Sequence, residues 1–573
     1  DLGISLSEEK FDENSLGAKI LEKTELIVTF VNLHLNDPQF LEQILDMNLF
    51  AYITPHLFDQ QNKAALVQMY ISLSQLGSPE DPDGASFSNK FVQNFLHTGG
   101  IEFLTQALHA NNPENEELLS QLIDGMLHAL PNTACAALVK HAIDTAHLSI
   151  ACKLVHKGGR ICAVQVLSQE LPRLCEFLQQ EDHMVNASIL IQDYLTLVDN
   201  PVEIQNVSIS SVIKSGNLSL LRTLLKHPLY LNSITMNDSF CIIETLIDSK
   251  ATVEQKDCAL FFGLGLGAPF YQQFAQYNKL IDIVINHENQ QIASRFIARL
   301  CRYPNACVHL LSEFAPFFVQ NIKSPFYLVA LSRIAGFYPA RVSQDNSIRE
   351  AILDNLKNLD QIEATVRLLG ALSGVKSYWE DGKMAESLIQ ILLSNSATVF
   401  ETILILSVLS NVAPFYDMNK HLFVFISYAS AQTEIAGIAS RIISQLNILS
   451  QTDSLRNKAI ASLIPICKVN VEHGDDFAKE ACSKILLKMI KYSTSIRSVL
   501  LKKGLPLCLA NGAANENNPH VFVSMMEALA AIGVANIPVT SLFDEMQIRA
   551  QLQLPRSFYT LRQKICNPDY SED

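Results

Sequence analysis

The chain has 573 residues, of which 48% are hydrophobic and 18% charged, and its formal net charge is −15. This length exceeds one ordinary compact domain, so the sequence predicts either several domains or one repetitive array. Glycine and proline are too few for a collagen-like or low-complexity chain. Acidic residues outnumber basic ones, which argues against a general nucleic-acid binder, and we predict no nucleic-acid partner.

The beginning of the chain carries no recognisable secretory signal. It opens with acidic residues, whereas a signal peptide opens with basic ones, and the first strongly apolar stretch runs from Leu26 to Leu35. Because residue 1 is Asp1 and not methionine, we expect a processed product or part of a longer protein. The longest uncharged stretch, 258–278, contains Pro269 and several glutamines, which favours buried helices over a membrane span.

Apolar residues recur with the period of an α-helix almost everywhere. Between Leu118 and Leu130 they fall at i, i+1, i+4, i+5, i+8, i+9 and i+12, which places them on one broad helical face. Helix starts are predicted from the capping boxes Thr252–Gln255, Ser347–Glu350 and Thr398–Glu401. No long run of strict apolar and polar alternation occurs, so the sequence predicts an all-α protein.

A long-period repeat runs through the second half of the chain. Its anchor residues lie 34 to 42 positions apart, and each has an apolar partner three residues further on. A helical repeat with a period near forty residues is typical of armadillo and HEAT proteins. The anchors are Phe261, Ile297, Leu331, Leu372, Leu409, Leu446, Leu487 and Leu529.

Three short motifs also resemble the armadillo repeat. The segment Val408–Ala413 reads Val-Leu-Ser-Asn-Val-Ala and resembles the signature of the third armadillo helix. The segments Gly99–Leu104 and Gly504–Leu507 resemble the turn that opens the last helix pair of the repeat. The chain thus resembles the armadillo/HEAT-type helical repeat superfamily, and the resemblance implies a right-handed α-solenoid of stacked armadillo/HEAT-like helical repeats.

The repeat frame predicts the domain organisation. Residues 1–554 are expected to form the solenoid, with about thirteen repeats of roughly forty residues. The stretch near 77–90 is rich in turn-forming residues and predicts a loop insertion. Residues 555–573 are expected to form a C-terminal tail that leaves the array.

The spacing of the cysteines and the lack of catalytic motifs limit the chemistry that the sequence predicts. None of the 12 cysteines lies in a C-x-x-C pair, which predicts reduced thiols in the cytoplasm, with the nucleus as the alternative. The segment Gly263–Ala268 fits G-x-G-x-x-A, but its helical surroundings favour close helix packing over a dinucleotide site. The sequence contains no phosphate-binding loop, zinc-protease or serine-hydrolase motif, so we predict no catalytic residue, cofactor or metal.

Two basic clusters stand out in this acidic chain. Arg295, Arg299 and Arg302 recur at helical spacing, with Arg333 one repeat later, and three lysines near 488 repeat the pattern. Guanidinium groups pair well with carboxylates and phosphates, although such stripes often serve only as solvated helix faces. The candidate partner-binding residues are Arg295, Arg299, Arg302, Arg333, Asn411, Lys484, Lys488 and Lys491.

These observations predict a non-enzymatic protein–protein interaction scaffold or regulatory arm, which binds a partner segment along a concave helical surface. The partner is expected to be a protein, with an acidic or phosphorylated segment as the preferred ligand. Two alternatives remain at this point: an enzyme without a recognisable short motif, and a nuclear-transport-like adaptor. Transport of basic localisation peptides fits poorly, because the Asn and Trp ladders of that family are missing and the single tryptophan is Trp379.

Overall fold

Helices make up every regular element in the described part of the chain. The computed structural model describes residues 13–76, 82–110, 112–198, 206–227, 230–231, 234–359, 361–431, 434–448, 452–534, 536–550 and 553–566. The all-α prediction is therefore confirmed for these residues. The chain divides into unit 1, Asp1–Phe270 with His287–Ile292, and unit 2, Tyr271–Asn286 with Ala293–Asp573.

Helices α1 to α17 belong to unit 1, α18 and α20 each have residues in both units, and α19 belongs to unit 2. Their bounds are α1 (Glu13–Glu22), α2 (Thr24–Leu33), α3 (Pro38–Asp46), α4 (Leu49–Ile53), α5 (Lys63–Ser74), α6 (Pro82–Phe95), α7 (Ile101–Ala110), α8 (Pro113–Met126), α9 (Asn132–Asp144), α10 (Leu148–Gly158), α11 (Arg160–Cys162), α12 (Ser168–Phe177), α13 (Met184–Leu197), α14 (Ile209–Ser215), α15 (Leu218–Leu224), α16 (Phe240–Ile247), α17 (Val253–Gly265), α18 (Ala268–Phe274), α19 (Asn278–Ile285) and α20 (Gln290–Leu300). In unit 1, helices α2, α5, α8, α10, α13, α15 and α17 pack side by side, each against the next.

The remaining helices belong to unit 2. Their bounds are α21 (Pro304–Gln320), α22 (Pro325–Phe337), α23 (Pro339–Gln344), α24 (Asn346–Asn358), α25 (Ile362–Leu372), α26 (Lys376–Trp379), α27 (Lys383–Ser394), α28 (Val399–Val412), α29 (Leu422–Ala429), α30 (Glu434–Gln445), α31 (Asp453–His473), α32 (Asp476–Tyr492), α33 (Thr494–Lys502), α34 (Leu505–Ala514), α35 (Pro519–Ile532), α36 (Val539–Arg549) and α37 (Arg556–Cys566). Most of them pack in pairs of consecutive helices.

Unit 2 is a stack of helix pairs. The first helices of the pairs are α21, α24, α27, α29, α31, α34 and α36, which we call the first-helix row. The second helices are α22, α25, α28, α30, α32, α35 and α37, and each of them packs against the next. Together with α20, whose Arg295 lies over Phe326 of α22, we call them the second-helix row. Short helices α23, α26 and α33 precede three of the pairs, so unit 2 contains three units of three helices, as in armadillo repeats, together with HEAT-like pairs.

From Ile297 to Leu529 the anchors lie on successive members of the second-helix row, except that Leu446 lies one residue after α30; Phe261 lies on α17 of unit 1. Leu331, Leu372, Leu409 and Leu529 are completely buried there, which confirms the repeat frame. At two other anchors the frame is displaced by one residue. Phe261 and Leu487 are half-buried, and their neighbours Phe262 and Leu486 occupy the core instead.

Two of the three predicted capping boxes are present, at Thr252 and Thr398. The prediction at Ser347 is wrong, because Asp345 caps α24 and accepts from the Ser347 amide at 2.9 Å and the Ile348 amide at 3.2 Å. A carboxylate also interacts favourably with the positive end of the helix dipole, whereas an uncharged serine hydroxyl lacks this interaction of charge with dipole.

The glycine turns that resemble armadillo turns have the backbone conformation that glycine favours. Gly99 has φ of 89° just before α7, and Gly504 has φ of 74° at the N-cap of α34. A side chain would be strained at either angle. Gly263 and Gly265 lie in the last turn of α17, so the G-x-G-x-x-A segment begins at the end of a helix and not after a strand, as a dinucleotide site would require.

Two predicted irregular segments are largely helical. Residues 82–90 belong to α6, so the predicted insertion is wrong for them, while 77–81 lie outside the described residues. The tail prediction is wrong for 556–566, since α37 packs on α35 and α36. Its Phe558 is completely buried against Phe543 and Phe522, with ring centroids 5.1 and 5.8 Å away. Residues 567–573 lie outside the described part of the chain.

We expect Phe558→Ala to destabilise the last pair of unit 2, by about 3 kcal/mol, because it removes a buried ring and leaves a cavity. Hydrogen–deuterium exchange should show faster exchange of the α36 and α37 amides. Tyr559→Ala is the matched control, since the Tyr559 side chain is about half exposed (48%) and should affect exchange much less. Equal exchange in Phe558→Ala and the unsubstituted protein would contradict the packing of α37.

A polar cluster joins α27 to the turn Asn419–His421 that precedes α29. The Glu386 carboxylate accepts hydrogen bonds from Tyr416 at 2.6 Å and His421 at 3.0 Å, and it pairs with Lys420 at 2.8 Å. Burial alone would raise the pKa of Glu386, but the bonds from Lys420, Tyr416 and His421 lower this pKa to about 2. The charged carboxylate therefore stabilises the folded unit.

We expect Glu386→Gln to lower the free energy of unfolding of unit 2 by about 1–2 kcal/mol at pH 7. Because the folded pKa lies below the usual 4.5, this difference should shrink as the pH falls from about 4.5 towards 2. Denaturant titrations followed by the fluorescence of the buried, single Trp379 would measure it. Glu363→Gln is the control, since it removes only an exposed carboxylate one turn from Arg367. A pH-independent difference would contradict the role of the Glu386 charge.

Candidate protein-binding surface

All eight candidate residues lie on the second-helix row of unit 2 or next to it. Arg295 and Arg299 lie on α20, and Arg302 directly follows this helix. Arg333 lies on α22, the next helix of the row. Asn411 lies on α28, where its amide Nδ2 donates to Ser373 Oγ at 3.4 Å. The three lysines lie on α32. The row therefore collects residues that are far apart in the sequence: Arg295, Arg299, Arg302, Arg333, Asn411, Lys484, Lys488 and Lys491.

Three of the arginines form a positive cluster. Burial lowers the pKa of Arg333, and the positive charges of Arg302 and Arg299 lower it further. Arg299 also hydrogen bonds with the buried Tyr271. Arg302 is exposed, and no carboxylate pairs with it within the described ranges. Arg302 is therefore the member of this cluster that an anionic ligand can reach most easily.

Two of the predicted ligand-binding residues have a role inside the stack. The guanidinium of Arg333 donates to the carbonyl of Ala298, in the last turn of α20. Lys488 Nζ donates to the carbonyl of Leu446 at 3.1 Å, just after the end of α30, and burial lowers the pKa of this lysine. The last carbonyls of a helix have no partner within the helix, so each cation satisfies an otherwise unpaired group of the preceding repeat.

The other lysines of α32 differ in their surroundings. Lys484 forms an ion pair with Glu480 one turn earlier on the same helix. Lys491 is exposed, and no carboxylate pairs with it in the part of the chain that the structure describes. Among the three candidate lysines, the positive charge accessible to a ligand is therefore mainly that of Lys491.

The second-helix row also carries three arginine–phenylalanine pairs that the sequence analysis missed. Each arginine lies over a phenylalanine ring on the next helix of the second-helix row, with 4.8 to 5.9 Å between the guanidinium carbon and the ring centroid. In each case the phenylalanine is the second residue of its helix. The pairs are Arg295–Phe326, Arg367–Phe400 and Arg441–Phe477.

Two surface cavities of unit 2 lie along the first-helix row, away from these residues. A cavity of about 440 Å³ lies between α29 and α31 and includes Phe423 and Pro465. A second cavity of about 430 Å³ lies on the other side of α29 and includes Leu393. Neither lining includes a carboxylate, histidine, lysine or thiol, so neither has the converging titratable groups expected at a catalytic centre.

The described part of the chain shows neither a metal-ligand cluster nor a membrane-length helix. No group of three or more histidine, cysteine or acidic side chains is arranged there to hold a metal ion. No helix in the described ranges is long and apolar enough to cross a membrane. The 12 cysteines are free thiols, and most of them are buried.

Comparison with known proteins yields only distant similarity. No protein-family model and no curated protein matches the chain. A chain from work on a phosphorylation switch in the cadherin–beta-catenin interaction is 11% identical, with a TM-score of 0.36 over 93% of this chain and 98% of that one. Karyopherin Kap121p bound to RanGTP is 10% identical, with a TM-score of 0.33 over 98% of this chain and 57% of that one. Similarity this low carries no argument about function.

We expect Arg333→Met to destabilise the stack by about 1 kcal/mol, because it leaves the Ala298 carbonyl without its donor. Denaturant titration would measure the change, and amide exchange would locate it at the end of α20. Arg302→Met, which removes an exposed and unpaired guanidinium nearby, should change stability by less than about 0.5 kcal/mol. Equal effects of the two substitutions would contradict the structural role of Arg333.

Proposed function

We propose that this protein is a non-enzymatic protein-interaction scaffold, which binds a segment of a partner protein along the second-helix row of unit 2. The observation that carries the proposal is the set of exposed, unpaired cations on this row, in a protein whose net charge is −15. Surfaces built from stacked helical repeats are well suited to bind extended segments, because neighbouring repeats present side chains at regular intervals. The partner segment is expected to be acidic or phosphorylated.

The linings of the two cavities on the first-helix row support a scaffold better than an enzyme. Catalysis requires a nucleophile, acid, base or metal that converges on one enclosed site. The second-helix row instead distributes its charged groups along several helices. A transport adaptor for basic peptides fits this row poorly, since exposed Arg302 and Lys491 would repel such cargo.

The proposal also includes a reducing location, the cytoplasm or the nucleus. It is supported by the free state of the cysteines, among them the neighbouring buried pair Cys467 and Cys482. Closely spaced thiols in an oxidising compartment would tend to form disulfides.

The scaffold proposal predicts that charge reversal on the second-helix row removes partners. We would capture proteins from cells with the whole chain and with the double variant Arg302→Glu, Lys491→Glu, and quantify them by mass spectrometry. At least one protein should be recovered about tenfold less with the double variant. Lys458→Glu, on α31 of the first-helix row, is the control and should retain that protein.

Two results would contradict the scaffold proposal. One is the recovery of no protein above the level of an unrelated bait. The other is an identical set of partners for the unsubstituted chain and the double variant.

A further inference from the structure

The arginine–phenylalanine pairs occupy alternate steps of the second-helix row. Arg295–Phe326 joins α20 to α22, Arg367–Phe400 joins α25 to α28, and Arg441–Phe477 joins α30 to α32. The steps between them, from α22 to α25 and from α28 to α30, have no such pair among the described residues. The surface chemistry therefore repeats with twice the period of the helices.

The pairs are exposed to solvent. All three arginines are exposed, and so are Phe400 (49%) and Phe477 (57%), while Phe326 is half-buried. A cation over a ring face is held in place by the ring quadrupole, and its N–H groups at the edge remain able to donate. Each pair thus combines a pre-oriented hydrogen-bond donor with an exposed apolar ring, which lowers the entropic cost of binding a ligand.

The three arginines differ in their charge environment. Neither Arg295 nor Arg441 has an acidic partner in the described ranges, although the protein as a whole is acidic. Arg367 pairs with Glu363 on its own helix at 3.0 Å, so its charge is partly neutralised. The two outer pairs are therefore complementary to anions, and the middle pair is weaker.

We propose that these pairs bind an extended acidic segment of a partner protein and select the spacing of its carboxylates. Two carboxylates contact Arg295 and Arg441, and the segment passes Arg367 midway between them. We call the three pairs together the ruler. This inference rests on the proposed scaffold function and names the ligand chemistry and its spacing. Each pair supplies one guanidinium, which matches one singly charged carboxylate better than a doubly charged phosphate.

The geometry sets the spacing of the acidic residues. Packed helices lie about 8–10 Å apart, so two steps of the row correspond to about 16–20 Å. An extended chain advances about 3.3–3.6 Å per residue, so neighbouring arginines of the pairs are about five or six residues apart along it. Carboxylates that bind Arg295 and Arg441 together should be separated by about ten to twelve residues.

Fluorescence anisotropy with synthetic peptides would test the ruler on the whole chain. The probes are labelled fifteen-residue peptides of Gly, Ser and Gln with three glutamates, placed either five residues apart or next to one another. Binding should be about tenfold tighter for the spaced peptide. A third peptide, with phosphoserine at the spaced positions, should bind no better than the spaced glutamates.

Substitutions in the protein provide a second test of the ruler. Arg295→Ala and Arg441→Ala should each weaken binding of the spaced peptide about five- to tenfold, and Arg295→Lys should weaken it less because the charge remains. Lys458→Ala is a matched control, since it removes a cation that lies over Phe423 in the first-helix row, at 5.4 Å, and it should leave affinity unchanged. Unchanged unfolding curves from Trp379 fluorescence would show that the variants are folded.

Three results would overturn the inference. They are no binding of the spaced peptide up to about 1 mM, equal affinity for spaced and clustered glutamates, and full affinity in both alanine variants. Tighter binding of the phosphoserine peptide would assign the pairs to phosphorylated segments and would also overturn it. If cells still yield a partner that depends on Arg302 and Lys491, the scaffold proposal survives the loss of the ruler.

Discussion

Contact between successive helices of the second-helix row determines most other features of unit 2. A helix such as α28 buries apolar side chains, among them Ile405, Leu406 and Leu409, on several sides at once. It must therefore be covered by α25, by α30 and by its own pair partner α27. The row also shares polar groups, because Arg333 and Lys488 supply donors to the carbonyl ends of the preceding helices. Each repeat is thus completed by its neighbours.

Hydrophobic periodicity predicted the helices and the repeat frame, because both arise from burial on one face of a helix. The frame was displaced at Phe261 and Leu487 because an equally apolar residue follows or precedes each of them, and spacing alone cannot distinguish the two. The last helix, α37, was missed because its sequence is polar except for a few residues. The burial of Phe558 depends on Phe522 and Phe543, which its own segment does not reveal.

The binding surface was predictable only in part. Helical spacing indicated the basic stripes, and the structure places them on one row. Spacing could not show that Arg333 and Lys488 point to carbonyl groups of a neighbouring repeat, since these acceptors belong to the backbone. The arginine–phenylalanine pairs were missed because the partners are 31 to 36 residues apart and occur only at every second step. A search for an arginine followed by a phenylalanine near the start of the next helix would find them.

The doubled period has a consequence for how such a chain can change its length. Loss or duplication of a single helix pair between Arg295 and Arg441 would leave the stack itself intact, because every pair offers similar apolar faces to its neighbours. It would nevertheless change the distance between two neighbouring arginine–phenylalanine pairs from two steps of the row to one or three. The pairs would then no longer lie at a constant spacing. Descendants that keep the ligand should therefore gain or lose pairs two at a time within this stretch.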